Sequence, residues 1–195
     1  MPETMDLNNV KLCGIMKEGP ECVSKGSNPA QYNIVLATAR KSGIEDLIHV
    51  ALPASVLNGV ILKVGYCYEI EGRYISEFDK NQINYLVEAT NISLADAAAQ
   101  HIDLIDVEGR IFKEPRQRKT GFGHDITDIR VQSRHLNRTS LLVGVCWNDV
   151  ALFAQHLSCG GHVILHGRIQ SREYEKDEIV HTVSEIAVRW IEVVK

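Results

Sequence analysis

The stretch Gly161-His-Val-Ile-Leu-His-Gly-Arg-Ile-Gln-Ser-Arg-Glu-Tyr174 determines how the rest of this sequence is interpreted. Apolar side chains alternate in it with histidine, arginine, glutamine and tyrosine, which is typical of a β-strand with one buried and one exposed face. A polar turn, Glu175 to Glu178, leads to a second strand pattern from Ile179 to Trp190. The exposed face predicts either a solvated surface or a surface that binds a polyanion carrying flat bases.

A second copy of this stretch lies 95 residues earlier in the chain. Tyr66-Cys-Tyr-Glu-Ile-Glu-Gly-Arg-Tyr-Ile-Ser76 aligns with it through a shared Gly-Arg pair, Gly72 with Gly167. Val10 to Gly14 aligns with Ile105 to Gly109 at the same spacing. A period of this length suits a small domain and is too long for a solenoid unit. The sequence therefore predicts a tandem duplication, with one domain at 5–93 and a second at 102–195.

The composition is that of an ordinary globular protein, with 45% hydrophobic and 24% charged residues in a chain of 195. The five cysteines are odd in number, and several alternate with core residues in apparent strands, so we expect reduced thiols and a cytoplasmic location. The longest apolar run falls short of the ~18 residues that a membrane span needs. The first residues do not match a signal peptide. We expect no membrane contact.

The formal net charge of −4 conceals an uneven distribution. Residues 1–98 carry a net charge of −4, whereas residues 99–195 are balanced. Between Arg110 and Arg138 the chain has eight basic and three acidic residues. Electrostatic attraction of a polyanion is therefore expected in the second half.

The order of predicted elements is the same in both halves. Each half contains three strand patterns, a short helical pattern and two further strand patterns. In the second half Asp149 is expected to cap a helix at 150–157, which would bury Phe153. The first half has a shorter apolar stretch, 54–64, at the corresponding place. This order predicts an all-β fold with one short helix per repeat, arranged as two tandem five-stranded OB-fold barrels.

Several short motifs of the second half follow one another in a recognisable order: Val107-Glu-Gly-Arg-Ile111, Cys146-Trp147, Gly161-His-Val163, Gly167 to Tyr174 and Val183-Ser-Glu185. In this order and spacing they resemble the bacterial single-stranded DNA-binding protein family, including its primosomal PriB-like relatives. The first half is a weaker copy. The resemblance implies sequence-tolerant binding of single-stranded DNA in replication, recombination or repair, with neither catalysis nor a cofactor.

The resemblance also implies which residues bind nucleic acid. Aromatic residues on the third and fourth strands of that family stack on unpaired bases, and Trp147 and Tyr174 occupy the matching positions. Arg134 matches a position that is often basic. Arg168 and Arg172 are added because strand alternation places them on the face of Tyr174.

Further candidate residues lie outside these motifs. A basic segment is expected to form the loop between the first two strands of the second barrel, where OB folds often contact ligands. Its candidates are Arg116, Arg118 and Lys119. In the first half Pro53 replaces the tryptophan, and we expect that barrel to bind weakly or to be mainly structural. Its corresponding candidates are Arg40, Arg73 and Phe78.

Other interpretations remain open. The alternative is a protein-interaction or assembly module, primosome-like or an accessory of a mobile element, with weak or no DNA binding. Cys159, His162 and His166 resemble a metal-binding spacing but lack a fourth ligand, so no metal is expected. The sequence ends without the acidic tail that recruits replication proteins in that family, so such recruitment is not expected. Because single-barrel relatives commonly form tetramers, we expect a homodimer that assembles four OB folds.

Overall fold

The computed structural model of the chain describes residues 5–23, 30–79, 82–176 and 179–194. The described chain is mostly strand, which confirms the predicted all-β class. The strands are β1 (Asn8–Val23), β2 (Gln31–Ala39), β3 (Glu45–Pro53), β4 (Cys67–Asp79), β5 (Gln82–Leu94), β6 (Ile102–Lys119), β7 (Asp125–His135), β8 (Arg138–Trp147), β9 (His162–Lys176) and β10 (Ile179–Val193). The α-helix α1 (Asn148–Ala154) follows β8.

The first five strands pair in the order of an OB barrel. β1 pairs with β2, β2 with β3, β3 with β5, β5 with β4, and β4 returns to β1. The β3–β5 pairing is parallel and short, whereas the other four are antiparallel. These strands form one compact unit, Asn9–Leu104, together with Gln170–Ser184 from the outer part of the β9–β10 hairpin.

The last five strands repeat this order. β6 pairs with β7, β7 with β8, β8 in parallel with β10, β10 with β9, and β9 returns to β6. The second compact unit contains Ile105–Ile169, with the described residues before Asn9 and after Ser184. The interior of this barrel is aliphatic, with Val107, Ile129 and Leu165 fully buried.

Two pairs of glycines explain why the repeat is visible in the sequence. A Cβ atom at Gly72 would lie 2.3 Å from a carbonyl oxygen of β5, and one at Gly167 would lie 2.2 Å from a carbonyl oxygen of β10. Gly14 and Gly109 are crowded in the same way, at 2.3 Å from β2 and 2.7 Å from β7. Neighbouring strands approach too closely at these points for any side chain, so both copies require glycine there.

The prediction of one helix per repeat holds for the second half and is wrong for the first. At the corresponding position of the first barrel, the described residues form a single 3-10 turn, Ala54–Val56. Asn58 and Gly59 follow with φ angles of 46° and 84°. Because these left-handed conformations cannot continue a right-handed helix, the apolar stretch ends after one turn.

The helix α1 is shorter than predicted, and Asp149 does not cap it. Trp147 occupies the N-cap position with extended backbone and makes no capping hydrogen bond through its side chain, while Asp149 lies in the first turn. The helix buries Ala151 and Ala154, whereas Phe153 is 47% exposed. Small residues therefore allow α1 to pack closely against the barrel, with the hydroxyl of Thr127 donating to the carbonyl oxygen of Ala151 at 2.8 Å. No helix in the described ranges is long and apolar enough to cross a membrane.

Candidate nucleic-acid interface

The register of β6, β7 and β8 collects basic side chains on one outer face of the second barrel. Burial alternates along β7, so that Ile129 and Val131 face the core while Arg130 and Arg134 lie on the other side. Residues directly opposite in an antiparallel pair project to the same side. The β6–β8 face, as we call it, therefore carries Arg110, Lys113, Arg116, Arg118, Asp128, Arg130, Arg134 and Trp147, together with the apolar Leu141, Val143 and Val145 of β8.

Trp147 lies at one end of this face. It is the last residue of β8 and stands opposite Ile126 of β7. Its side chain is 41% exposed, so the indole is accessible rather than part of the core. An exposed aromatic ring at the end of a strand offers a flat surface on which an unpaired base can stack.

The basic segment that was expected to be a loop belongs to a strand. β6 continues to Lys119 and pairs with β7 from Asp125 onward, so the connection between them is confined to the residues between these strand ends. The register is irregular between Lys113 and Arg116, where Pro115 has no N–H to donate. The prediction of a loop was wrong because a polar, proline-containing composition does not reveal a strand that extends beyond the barrel.

The three basic candidates in this extension differ in their partners. Nε and Nη2 of Arg118 donate to the two carboxylate oxygens of Asp128, at 3.2 and 3.1 Å, and Lys119 Nζ lies 3.4 Å from Asp125 Oδ1. Arg116 is exposed and has no carboxylate partner within the described part of the chain. Arg116 can therefore meet a phosphate without first leaving an ion pair.

Arg134 and Trp147 share the face but lie at opposite ends of it. Trp147 stands opposite residue 126 and Arg134 opposite Thr139, eight residues further along β7. At about 3.3 Å per residue this separation is on the order of 26 Å, so one nucleotide cannot contact both. Arg130 lies between them and was missed in the sequence, although its even spacing from Arg134 is the signal that places both on one face.

The β9 candidates divide between the two compact units. Arg168 is half-buried in the unit of the second barrel, and Arg172 is exposed in the unit of the first. Between them Gln170 is only 9% exposed, so the prediction that it lies on a continuous exposed face is wrong. The side chain of Tyr174 lies outside the described residues.

Hydrogen bonds of Ser171, the residue after Gln170, attach this part of β9 to β3. The N–H of Ser171 donates to Asp46 Oδ1 at 2.8 Å, and its hydroxyl accepts the N–H of Leu47 at 2.8 Å. The outer part of the hairpin is thereby attached to β3 in the same compact unit. A contact between residues more than a hundred positions apart leaves no signal in the alternation of polar and apolar residues.

Two of the first-barrel candidates are engaged in ion pairs. Arg40 makes two hydrogen bonds to Asp46, at 2.7 and 2.6 Å, and Asp46 is 1% exposed. The hydrogen bond with Asp46 is the main cause of a raised pKa of Arg40. Arg73 pairs with Glu88, directly opposite on β5, at 2.9 Å. Phe78 by contrast is 69% exposed.

The first compact unit also contains a cavity of about 430 Å³ that the sequence did not predict. Residues of β2, β3 and β5 form much of its wall, and Thr182 to Ser184 of β10 also contribute. Its polar lining includes Asn33, His49, Asn84 and Tyr85. Residues from five strands form the wall, and no local motif unites them in the sequence.

Searches against protein-family models and curated proteins find no match for this chain. Among solved structures, a deletion mutant of the single-stranded DNA-binding protein from Thermus aquaticus matches 98% of this chain and 96% of its own at a TM-score of 0.81 and 20% identity. The wild-type Thermus aquaticus protein matches 98% of this chain and 95% of its own at the same TM-score and 18% identity. The N-terminal domain of PriB from Thermoanaerobacter tencongensis matches 46% of this chain and 97% of its own, at 25% identity and a TM-score of 0.42.

The fold is therefore that of the single-stranded DNA-binding proteins, with an OB-type strand order in both halves. The resemblance read from the sequence is confirmed at the level of the fold. At these identities the comparison does not transfer residue roles, which rest on the geometry of the chain itself.

Proposed function

We propose that this protein binds single-stranded DNA with little sequence preference, mainly through the β6–β8 face, and acts in replication, recombination or repair without catalysing a reaction. The observation that carries the proposal is the combination of an exposed Trp147 with six basic side chains on one face. The fold shared with the Thermus aquaticus protein supports it.

The chemistry of this face suits a flexible single strand. Every base has a π face, so stacking on Trp147 does not depend on sequence. The arginines and Lys113 can neutralise successive phosphates, which releases counterions and makes affinity depend on salt. The overall charge of −4 does not oppose this binding, because the acidic excess lies in the first half of the chain. Arg168, Arg172 and Tyr174 are proposed as additional contacts.

A second candidate function is a protein-assembly module with incidental DNA binding. Trp190 favours it, because 51% of this large apolar side chain is exposed. The ion pairs of Arg40, Arg73 and Arg118 also favour it, because they reduce the number of cations that are free to meet phosphate.

Fluorescence anisotropy of labelled oligo-dT decides between these functions. We expect saturable binding that weakens linearly on a plot of log affinity against log salt, and much weaker binding of a duplex of equal length. An oligonucleotide of mixed sequence should bind about as well as oligo-dT. Equal affinity for duplex and single strand, or binding that is absent even at low salt, would exclude the proposed function and leave the assembly module.

A further inference from the structure

Three potential metal ligands from separate parts of the chain meet on the second barrel. Asp6 precedes β1, Glu108 lies on β6, and His162 begins β9. One ligand atom from each lies within 4.8 Å of the others, and His162 Nε2 is 2.9 Å from Glu108 Oε1. All three side chains are half-buried, so water can enter while the chain still fixes the side chains.

Backbone donors hold both carboxylates in place. Glu108 Oε2 accepts the N–H of Leu7 at 3.0 Å, and Asp6 Oδ2 accepts the N–H of Arg134 at 2.7 Å. The backbone of Asp6 is fixed as well, because its N–H donates to the carbonyl oxygen of Arg134 at 3.0 Å. Each carboxylate keeps a second oxygen for another partner. Outer hydrogen bonds of this kind orient metal ligands in proteins.

The charges of the three residues do not balance. Two carboxylates bring two negative charges, and one imidazole supplies at most one positive charge. The His162–Glu108 contact accounts for one carboxylate and leaves Asp6 without a cationic side chain among the described residues. Two carboxylates held this close repel each other unless a cation lies between them.

We propose that Asp6, Glu108 and His162 bind one divalent cation of the zinc class. One nitrogen and two oxygen ligands suit zinc, and three protein ligands leave a fourth position for water. The site departs from the metal spacing seen in the sequence, of which it uses only His162. The ring of His166 is instead hydrogen-bonded to Asp106 at 2.6 Å and stacked on Trp190.

The bound cation would fasten the segment before β1 to two strands of the barrel. Since a cation that binds only the folded chain stabilises it by linkage, the melting temperature should rise with cation concentration. This effect is independent of DNA binding and can be measured without any nucleic acid.

The test uses the full chain stripped with EDTA and then titrated with Zn²⁺ or Co²⁺. We expect one cation per chain, a visible absorption band of bound Co²⁺, and a rise in melting temperature that EDTA reverses. His162→Ala should abolish the band, and Asp6→Asn and Glu108→Gln should each weaken binding at least about tenfold. His124→Ala, which removes an exposed histidine outside the cluster, is the matched control and should bind as the wild type does.

Two results would overturn the proposal. The first is a wild-type protein that neither binds one Co²⁺ per chain nor melts at a higher temperature with Zn²⁺. The second is binding that survives in His162→Ala, since the cation would then be held elsewhere. If His162→Ala does not fold, the conservative variants Asp6→Asn and Glu108→Gln decide, and wild-type affinity in both contradicts the site.

Discussion

Trp147 combines two properties that rarely occur together in a barrel strand. Its backbone is fixed, because it ends β8 and directly precedes α1, while its side chain remains 41% exposed. We expect Trp147→Ala to reduce the binding free energy for oligo-dT by about 1–3 kcal/mol, measured by anisotropy at fixed salt.

A second tryptophan provides the control for this variant. Trp190 is 51% exposed, but one face of its ring is covered by His166 at a centroid distance of 3.6 Å. Trp190→Ala should leave the affinity within a factor of about two, because Trp190 is not part of the β6–β8 face. A folded Trp147→Ala protein that binds oligo-dT as tightly as wild type would remove Trp147 from the interface.

The five thiols differ in reactivity because burial controls their ionisation. Burial is the main cause that raises the pKa of Cys146 to about 12 and that of Cys13 to about 11, and a hydrogen bond between Cys13 and Cys67 contributes to the latter. Cys22 and Cys159 are exposed. Since the thiolate is the reactive form, we expect the two exposed thiols to react quickly with DTNB at pH 8 and the buried thiols only after unfolding.

Stopped-flow absorbance with and without denaturant measures this difference. Cys22→Ser and Cys159→Ser should each remove one equivalent from the fast phase and leave the total after unfolding reduced by the same amount. Fast reaction of three or more thiols in the native protein would mean that a strand of the barrel opens more readily than its packing indicates.

Among the elements of the interface, the hairpin of β6 and β7 carries Arg116, Arg118 and Lys119. The salt dependence of the DNA affinity tests whether this hairpin contacts the strand. Replacing Arg116, Arg118 and Lys119 with alanine should flatten the plot of log affinity against log salt by about 0.7 for each phosphate that the variant no longer neutralises. Arg116→Ala alone should account for most of the change, because Arg118 and Lys119 must first leave Asp128 and Asp125.

A triple variant of equal charge change controls for long-range electrostatics. Lys11, Lys41 and Lys63 are exposed residues of the first barrel, and their replacement with alanine should leave the slope unchanged. If both triple variants change the slope equally, the hairpin acts through net charge alone and does not contact the strand.

The hairpins also show how far the sequence predicts the elements. Strict alternation predicted the strand β9, and the repeat at a spacing of 95 predicted that both halves have the same plan, because these patterns reflect burial and close backbone approach within one barrel. The extension of β6 through Arg116 to Lys119 could not be predicted, since both of its faces are polar. The attachment of the hairpin to β3 at Ser171, next to the buried Gln170, joins residues more than a hundred positions apart, which no local pattern records.

The residues of the candidate site were also predicted only in part. The motif position of Trp147 was sufficient to find an exposed aromatic residue at a strand end. The ion pair of Arg118 with Asp128 could not be predicted, because it depends on the register of β6 against β7, and that register shifts between Lys113 and Arg116. Arg130 could have been found, since it shares the alternation of Arg134 once both are assigned to one strand.

For the whole molecule, the presence of two OB-type halves in one chain reduces the number of chains that an assembly needs. The resemblance of the sequence implies an assembly of four OB folds, and a chain with two OB-type halves needs only one further copy to reach that number. Symmetric dimers are the commonest closed assembly of soluble proteins, so one two-fold interface would be sufficient.

We expect the protein in solution to be a homodimer whose mass is close to twice 21.8 kDa. Several large apolar side chains are exposed in the single chain, among them Leu94, Leu104 and Trp190. Dimerisation would remove such side chains from water, which favours the dimer. Light scattering coupled to size-exclusion chromatography at micromolar concentration measures the mass. Fluorescence anisotropy of the protein, followed on dilution to nanomolar concentration, measures the dissociation of the dimer. A mass of 21.8 kDa at every concentration, with oligo-dT binding intact, would show that two barrels in one chain are sufficient to hold the strand.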